Sequence, residues 1–142
     1  INLQERKYIT SFLKAKLTRK RPKKHTVSQT NTQDRIDNFG EVYTPSVLVK
    51  QLLESLGSEA WNKNRTFVDP ACGSGNFVVE VVRMKIEKGF TPKEALSTTY
   101  GIDIIEDNVT ECRRRLAELT GEKYKNIIQQ QIKLGDFLKD NE

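Results

Sequence analysis

Apolar positions fall at helical spacing in four stretches and bunch into short runs in three others. Leu3, Tyr8, Ile9, Phe12, Leu13 and Leu17 form one stripe of a helix over residues 2–18. Val47, Leu48, Val49, Leu52, Leu53 and Leu56 predict a second helix from about Pro45 to Leu56. Thr44 is suited to cap it, Pro45 to open it and Gly57 to stop it. Residues 77–88 read as a third helix, with Val78, Val81, Val82 and Ile86 inward, and residues 106–119 as a fourth. The short runs predict buried parallel strands over Arg65–Asp69, Tyr100–Ile104 and Ile127–Leu134.

From Arg65 onward the order is strand, helix, strand, helix, strand, the pattern of a doubly wound parallel sheet. An acid closes or follows each predicted strand: Asp69, Asp103 and Asp136. Ligands of such sheets sit at the carboxyl ends of the strands. The expected fold is therefore a Rossmann-like α/β domain, incomplete at three strands, with an N-terminal helical extension. Residues 1–38 form the basic arm and linker, and residues 39–142 the α/β part.

Charge adds one feature to this picture. Residues 1–30 hold nine of the 24 Lys and Arg side chains and one acid, Glu5, so that segment is +8 while the rest of the chain is −3. Arg19, Lys20, Arg21, Lys23 and Lys24 cluster in a stretch with almost no apolar content. Two readings are open: an arm that displaces counterions from nucleic-acid phosphates, or a solvated tail. No apolar run approaches the ~20 residues of a membrane span. Cys72 and Cys112 match no metal-ligand spacing and no disulfide framework, and His25 has no metal-ligand company. No metal and no membrane are expected, and a reducing, cytoplasmic setting is.

The densest chemistry lies in Asp69-Pro70-Ala71-Cys72-Gly73-Ser74-Gly75-Asn76-Phe77. Two glycines between strand and helix permit a tight turn and a close backbone approach to a ligand. An acid at the start of that turn would repel a phosphate but attract an ammonium group. The helix that follows offers N–H groups to a carboxylate. A ligand with both groups is an amino acid, and the methionine end of S-adenosylmethionine fits. Asp103, 28 residues after Gly75, can accept hydrogen bonds from ribose hydroxyls. Asp136 can accept from an adenine amine, with Ile104 and Phe137 on the two faces of the ring. The bland alternatives are that Thr44 only caps a helix, that Asp69 only shapes its turn and that Asp103 is a surface acid.

These residues resemble the motifs of adenine-specific, amino-methylating DNA methyltransferases of restriction–modification systems. Gly40-Glu41-Val42-Tyr43-Thr44-Pro45 is similar to the family's opening motif, Asp69–Phe77 to its cofactor loop, Tyr100–Ile104 to its ribose-binding strand and Gly135-Asp136-Phe137 to its adenine-binding turn. The resemblance covers about residues 39–138. It implies that Tyr43, Thr44 and Pro45 lie near the methionine moiety, that Asp69, Ala71, Gly73, Gly75 and Phe77 line its pocket, and that Asp103 holds the ribose and Asp136 with Phe137 the adenine. It implies S-adenosylmethionine as cofactor and DNA as partner.

The family's catalytic element is a Pro-Pro-aromatic loop after the fourth strand, which holds the flipped base. The four prolines, Pro22, Pro45, Pro70 and Pro92, include no adjacent pair. The expectation is a chain truncated before that loop, carrying no catalytic residue of its own and completed by a missing C-terminal half or a specificity subunit. Two alternatives stand beside it. One is a non-catalytic cofactor- or DNA-binding remnant. The other is a nicotinamide-dinucleotide domain, disfavoured because Gly73-Ser74-Gly75 lacks the third glycine and the following acid falls 28 residues on, against ~20 in that fingerprint.

Overall fold

The computed structural model describes residues 45–140, apart from the side chain of residue 140. Among these, helix α1 (Ser46–Glu54) leads through a 3-10 turn to strand β1 (Phe67–Asp69). Helix α2 (Asn76–Glu87), helix α3 (Pro92–Ser97) and strand β2 (Thr99–Asp103) follow. Helix α4 (Glu106–Thr120), helix α5 (Lys125–Gln131), strand β3 (Ile132–Leu134) and helix α6 (Phe137–Asp140) complete the order. The strands form one parallel sheet in the order β1-β2-β3, with Asp69 opposite Gly101 and Asp103 opposite Leu134.

Burial alternates along β2: Thr99, Gly101 and Asp103 are buried while Tyr100 is exposed. Helices α2 to α5 contact β2, and the core lies between them and the sheet. Val78, Val79, Val82, Leu96, Val109, Leu116, Ile128 and Ile132 form it. A second cluster joins α1 to α2 through Val49, Leu53, Phe77, Val81 and Met84. α2 can serve both clusters because its valines occupy two adjacent stripes, the arrangement of a helix covered on two sides.

The expected order of strands and helices is present, with four differences. Pro45 stands at the N-cap of α1 instead of its first helical position, since its ψ of 142° is extended; its carbonyl still accepts from the Val49 amide at 3.0 Å. Thr44, the expected cap, lies outside the described residues. The first strand is shorter than Arg65–Asp69. Helix α3 was not expected, although Thr91-Pro92-Lys93-Glu94 carries a full capping box: the Glu94 amide donates to the Thr91 hydroxyl at 3.1 Å and the Thr91 amide to the Glu94 carboxylate at 2.9 Å.

The fourth difference is the largest. Only Ile132–Leu134 of the expected third strand is extended, and Lys125–Gln131 is helical. A strand buried on both faces needs apolar residues on both, and Gln129-Gln130-Gln131 supplies none. As a helix the same residues bury Ile128, expose Gln129 and Gln130, and place the Gln131 amide where it donates to the carbonyls of Leu96, Ser97 and Thr99 at 3.1–3.2 Å.

Candidate cofactor site at the carboxyl edge of the sheet

All three strands run parallel, so their carboxyl ends share one edge. The turn after β1 is assembled there by backbone and carboxylate together. The Asp69 carboxylate accepts from the Ala71 amide at 3.1 Å, which bends the chain immediately after the strand. The Cys72 amide donates to the Ile102 carbonyl at 2.9 Å, tying the turn to β2. The Gly73 amide donates to the Asp103 carboxylate at 2.8 Å. That carboxylate also accepts from the Ile105 amide at 2.9 Å and the Asn108 side-chain amide at 3.4 Å. Asp103 is therefore a bracket between the end of β2, the start of α4 and the glycine turn, and it is 9% exposed. The Gly135 amide donates to the Asp103 carbonyl at 2.9 Å, which brings the third strand's turn alongside.

The two glycines do different work. Both have positive φ, +57° at Gly73 and +98° at Gly75, a region that costs L-residues with a Cβ. At Gly75 an added Cβ would lie 2.7 Å from the Cys112 sulfur and 3.2 Å from Val79, so this glycine exists for close packing of the turn on α4. At Gly73 nothing lies within 4 Å of the same position. The backbone at Gly73 thus borders open space while that at Gly75 is closed by the protein. A turn with one open glycine, beside two buried strand-end acids, suits a ligand that approaches backbone closely.

The remaining expected residues divide. Asp69, Ala71, Gly73, Gly75 and Asp103 come together at the turn. Phe77, the second residue of α2, is buried in the cluster with Val49 and Leu53. Pro45 is exposed at the start of α1, the helix that packs on Phe77 through Val49 and Leu53. Ile104 is 43% exposed just beyond Asp103. Asp136 is half-buried, and its carboxylate accepts from the Leu138 amide at 3.0 Å, which caps α6; Phe137 is half-buried beside it. Tyr43, Thr44, Arg19, Lys20, Arg21, Lys23 and Lys24 lie outside the described residues.

Cys72 and Cys112 are buried free thiols. A hydrogen bond with Cys112, followed by burial and the nearby acids Asp69 and Asp103, pushes the Cys72 thiol well up. A thiol held protonated is a poor nucleophile. Two residues that touch the site were not singled out in the sequence: Asn108, on Asp103, and Arg115, on the carbonyl of Ser74 and the side chain of Asn76. Their signal was available, because Asn108, Cys112 and Arg115 are spaced i, i+4, i+7 along one helix face.

A parallel α/β sheet with a glycine turn after its first strand and acids at the ends of its first two strands is an architecture in which ligands sit at the carboxyl edge. The comparison with known families is specific about which kind of protein carries it here. The family described as N-6 DNA Methylase matches residues 26–142, and the chain belongs to that family. The match begins inside the segment assigned above to the arm and linker. Over 88 residues the chain is 36% identical to the Type II methyltransferase M.VspI of Vibrio sp. (strain 343). That alignment takes in 62% of this chain and 19% of M.VspI, so the chain spans about a fifth of the length of this curated relative.

Proposed function

We propose that this chain binds S-adenosylmethionine at the carboxyl edge of its sheet and forms the cofactor-binding part of a restriction–modification methyltransferase that modifies the exocyclic amine of adenine in DNA. The observation that carries the reading is the turn at Gly73. Its backbone borders open space, it is held at 2.8 Å by the acid that ends the second strand, and it belongs to a family of N-6 DNA methylases. The similarity to a Type II methyltransferase over residues of this chain supports the same reading.

In this assignment the glycine turn and the start of α2 take the methionine end, with the Asp69 side facing the ammonium. Asp103 accepts from the ribose hydroxyls with a carboxylate already oriented by three protein donors. Asp136 and Phe137 take the adenine, with Ile104 on its other face, and Tyr43, Thr44 and Pro45 close the methionine side. The cofactor, when bound, supplies an electrophilic methyl group. The chain's own residues bind and orient it, and the acceptor amine must be aligned by a Pro-Pro-aromatic loop, which is not in this sequence. Arg19, Lys20, Arg21, Lys23 and Lys24 would meet DNA phosphates without reading sequence.

The test is a titration followed by NMR, in which S-adenosylhomocysteine and NAD are added separately to the isotopically labelled chain. Shifts of Gly73, Gly75 and Asp103 amides with the first ligand are expected. Saturable binding of NAD, with none of the nucleoside thioether, would replace this reading by a dinucleotide-binding one.

A further inference from the structure

Helix α4 carries a stripe of three side chains that all touch the glycine turn or its bracket. Asn108 donates to Asp103, the Cys112 sulfur closes the space beside Gly75, and Arg115 reaches the turn itself. One Arg115 guanidinium nitrogen donates to both the Ser74 carbonyl at 3.0 Å and the Asn76 side-chain oxygen at 2.9 Å. These acceptors flank Gly75, the left-handed residue that caps α2. Arg115 therefore spans the one position in the turn that is both conformationally special and closely packed.

The charge pattern shows that this contact is not a by-product of surface ion pairing. Arg83 and Arg114 are each paired with glutamates of their own helices, Arg83 with Glu80 and Arg114 with Glu111 and Glu118. Among the described residues Arg115 makes no ion pair within 4 Å and spends its hydrogen bonds on the turn. A cation beside the amino end of a helix is unfavourable with respect to the helix dipole. Its placement there is offset by two charge-assisted hydrogen bonds, which are about twice as strong as neutral ones.

We infer that Arg115 is a positioning residue for the methyl-donor site, clamping Ser74 and Asn76 from α4 so that Gly73 keeps its open face toward the ligand. The inference rests on the cofactor reading proposed above. A shape-holding role of this kind acts on the free protein: the turn is pre-formed, so less ordering is required on binding.

The experiment compares the 142-residue chain with its Arg115→Met and Arg115→Lys variants. Amide hydrogen exchange is measured without ligand, and S-adenosylhomocysteine affinity by NMR titration. In Arg115→Met the amides of residues 73–77 should exchange faster while those of Leu116 and Ile128 keep their protection. Affinity should fall about tenfold, the scale of one charged hydrogen bond. Arg115→Lys, which keeps a donor and the stem, should recover part of both, and added ethylguanidinium should partly rescue Arg115→Met. Unchanged exchange at 73–77 in both variants overturns the proposal. So does faster exchange spread evenly through α2 and α4, which would make Arg115 an ordinary packing residue. If the parent chain shows no affinity for S-adenosylhomocysteine, the cofactor reading falls. Local exchange at 73–77 still decides whether Arg115 holds the turn.

Discussion

Replacing Asp103 by Asn would remove a charge while changing almost no volume, and on the geometry here it is not a mild substitution. One carboxylate oxygen accepts from the Gly73 amide at 2.8 Å, the other from Ile105 at 2.9 Å and Asn108 at 3.4 Å. An asparagine offers one oxygen and one NH2. Whichever way its amide is turned, a donor faces a backbone donor. The loss on that side is a buried unsatisfied N–H, which costs about 1–3 kcal/mol, and the surviving bond falls from charged to neutral strength. Together these reach on the order of 2–4 kcal/mol, a large share of the ~5–15 kcal/mol that stabilises a domain. Asp103→Ala leaves the Gly73 and Ile105 amides both without an acceptor, so it should destabilise at least as much as Asn. Urea unfolding gives the stability change and hydrogen exchange at Gly73 and Ile105 its location. If Asp103→Asn stays within about 0.5 kcal/mol of the parent, the ordinary range for surface changes, Asp103 is only a surface acid. The bracket would then be refuted.

Three further outcomes are expected. Gly75→Ala should be destabilising and Gly73→Ala milder, because the first meets the Cys112 sulfur at 2.7 Å and the second meets open space; thermal unfolding of the two variants should rank them so. Lys85 is buried in α2 with its ammonium donating to the Thr98 carbonyl and hydroxyl and the Thr99 hydroxyl at 2.8–3.0 Å, and burial lowers its pKa to about 7. The unfolded chain holds that proton up to its ordinary value of 10.5, so the Lys85 contribution to stability should rise from about pH 7 to 10.5, with a slope of at most about 1.4 kcal/mol per pH unit. Denaturant melts across that window should show the slope in the parent and lose it in Lys85→Met. Finally, a chain starting at Asn31 lacks eight net positive charges and should lose salt-sensitive binding to duplex DNA while keeping cofactor affinity. Equal DNA binding at low salt by both chains would reduce the arm to a solvated tail.

The chain alone determined the α/β class of fold and where its glycine turn and strand-end acids fall. Helical stripes, short apolar runs and the glycine turn marked α1, α2, α4 and the first two strands to within about two residues, because those signals are local. The same signals placed Asp69 and Asp103 at one edge, since parallel strands must present their carboxyl ends together. What the sequence left undecided were matters of partnership. Ile127–Leu134 has enough apolar character for a strand, yet it is helical as far as Gln131, whose side-chain amide meets carbonyls of α3 and β2 that the sequence does not place beside it. Lys85 carries no mark in the sequence that separates it from a surface lysine. Its burial follows from the lining of α2 on two sides and from acceptors 13 and 14 residues away. Asp103 was visible as a strand-end acid, but its hold on an amide 30 residues earlier was not. Nor was the reach of Arg115 to Ser74 across 41 residues. Periodicity reports which face of an element is apolar. Which polar group meets which is fixed only when the elements are packed, and on those meetings the shape of the glycine turn depends.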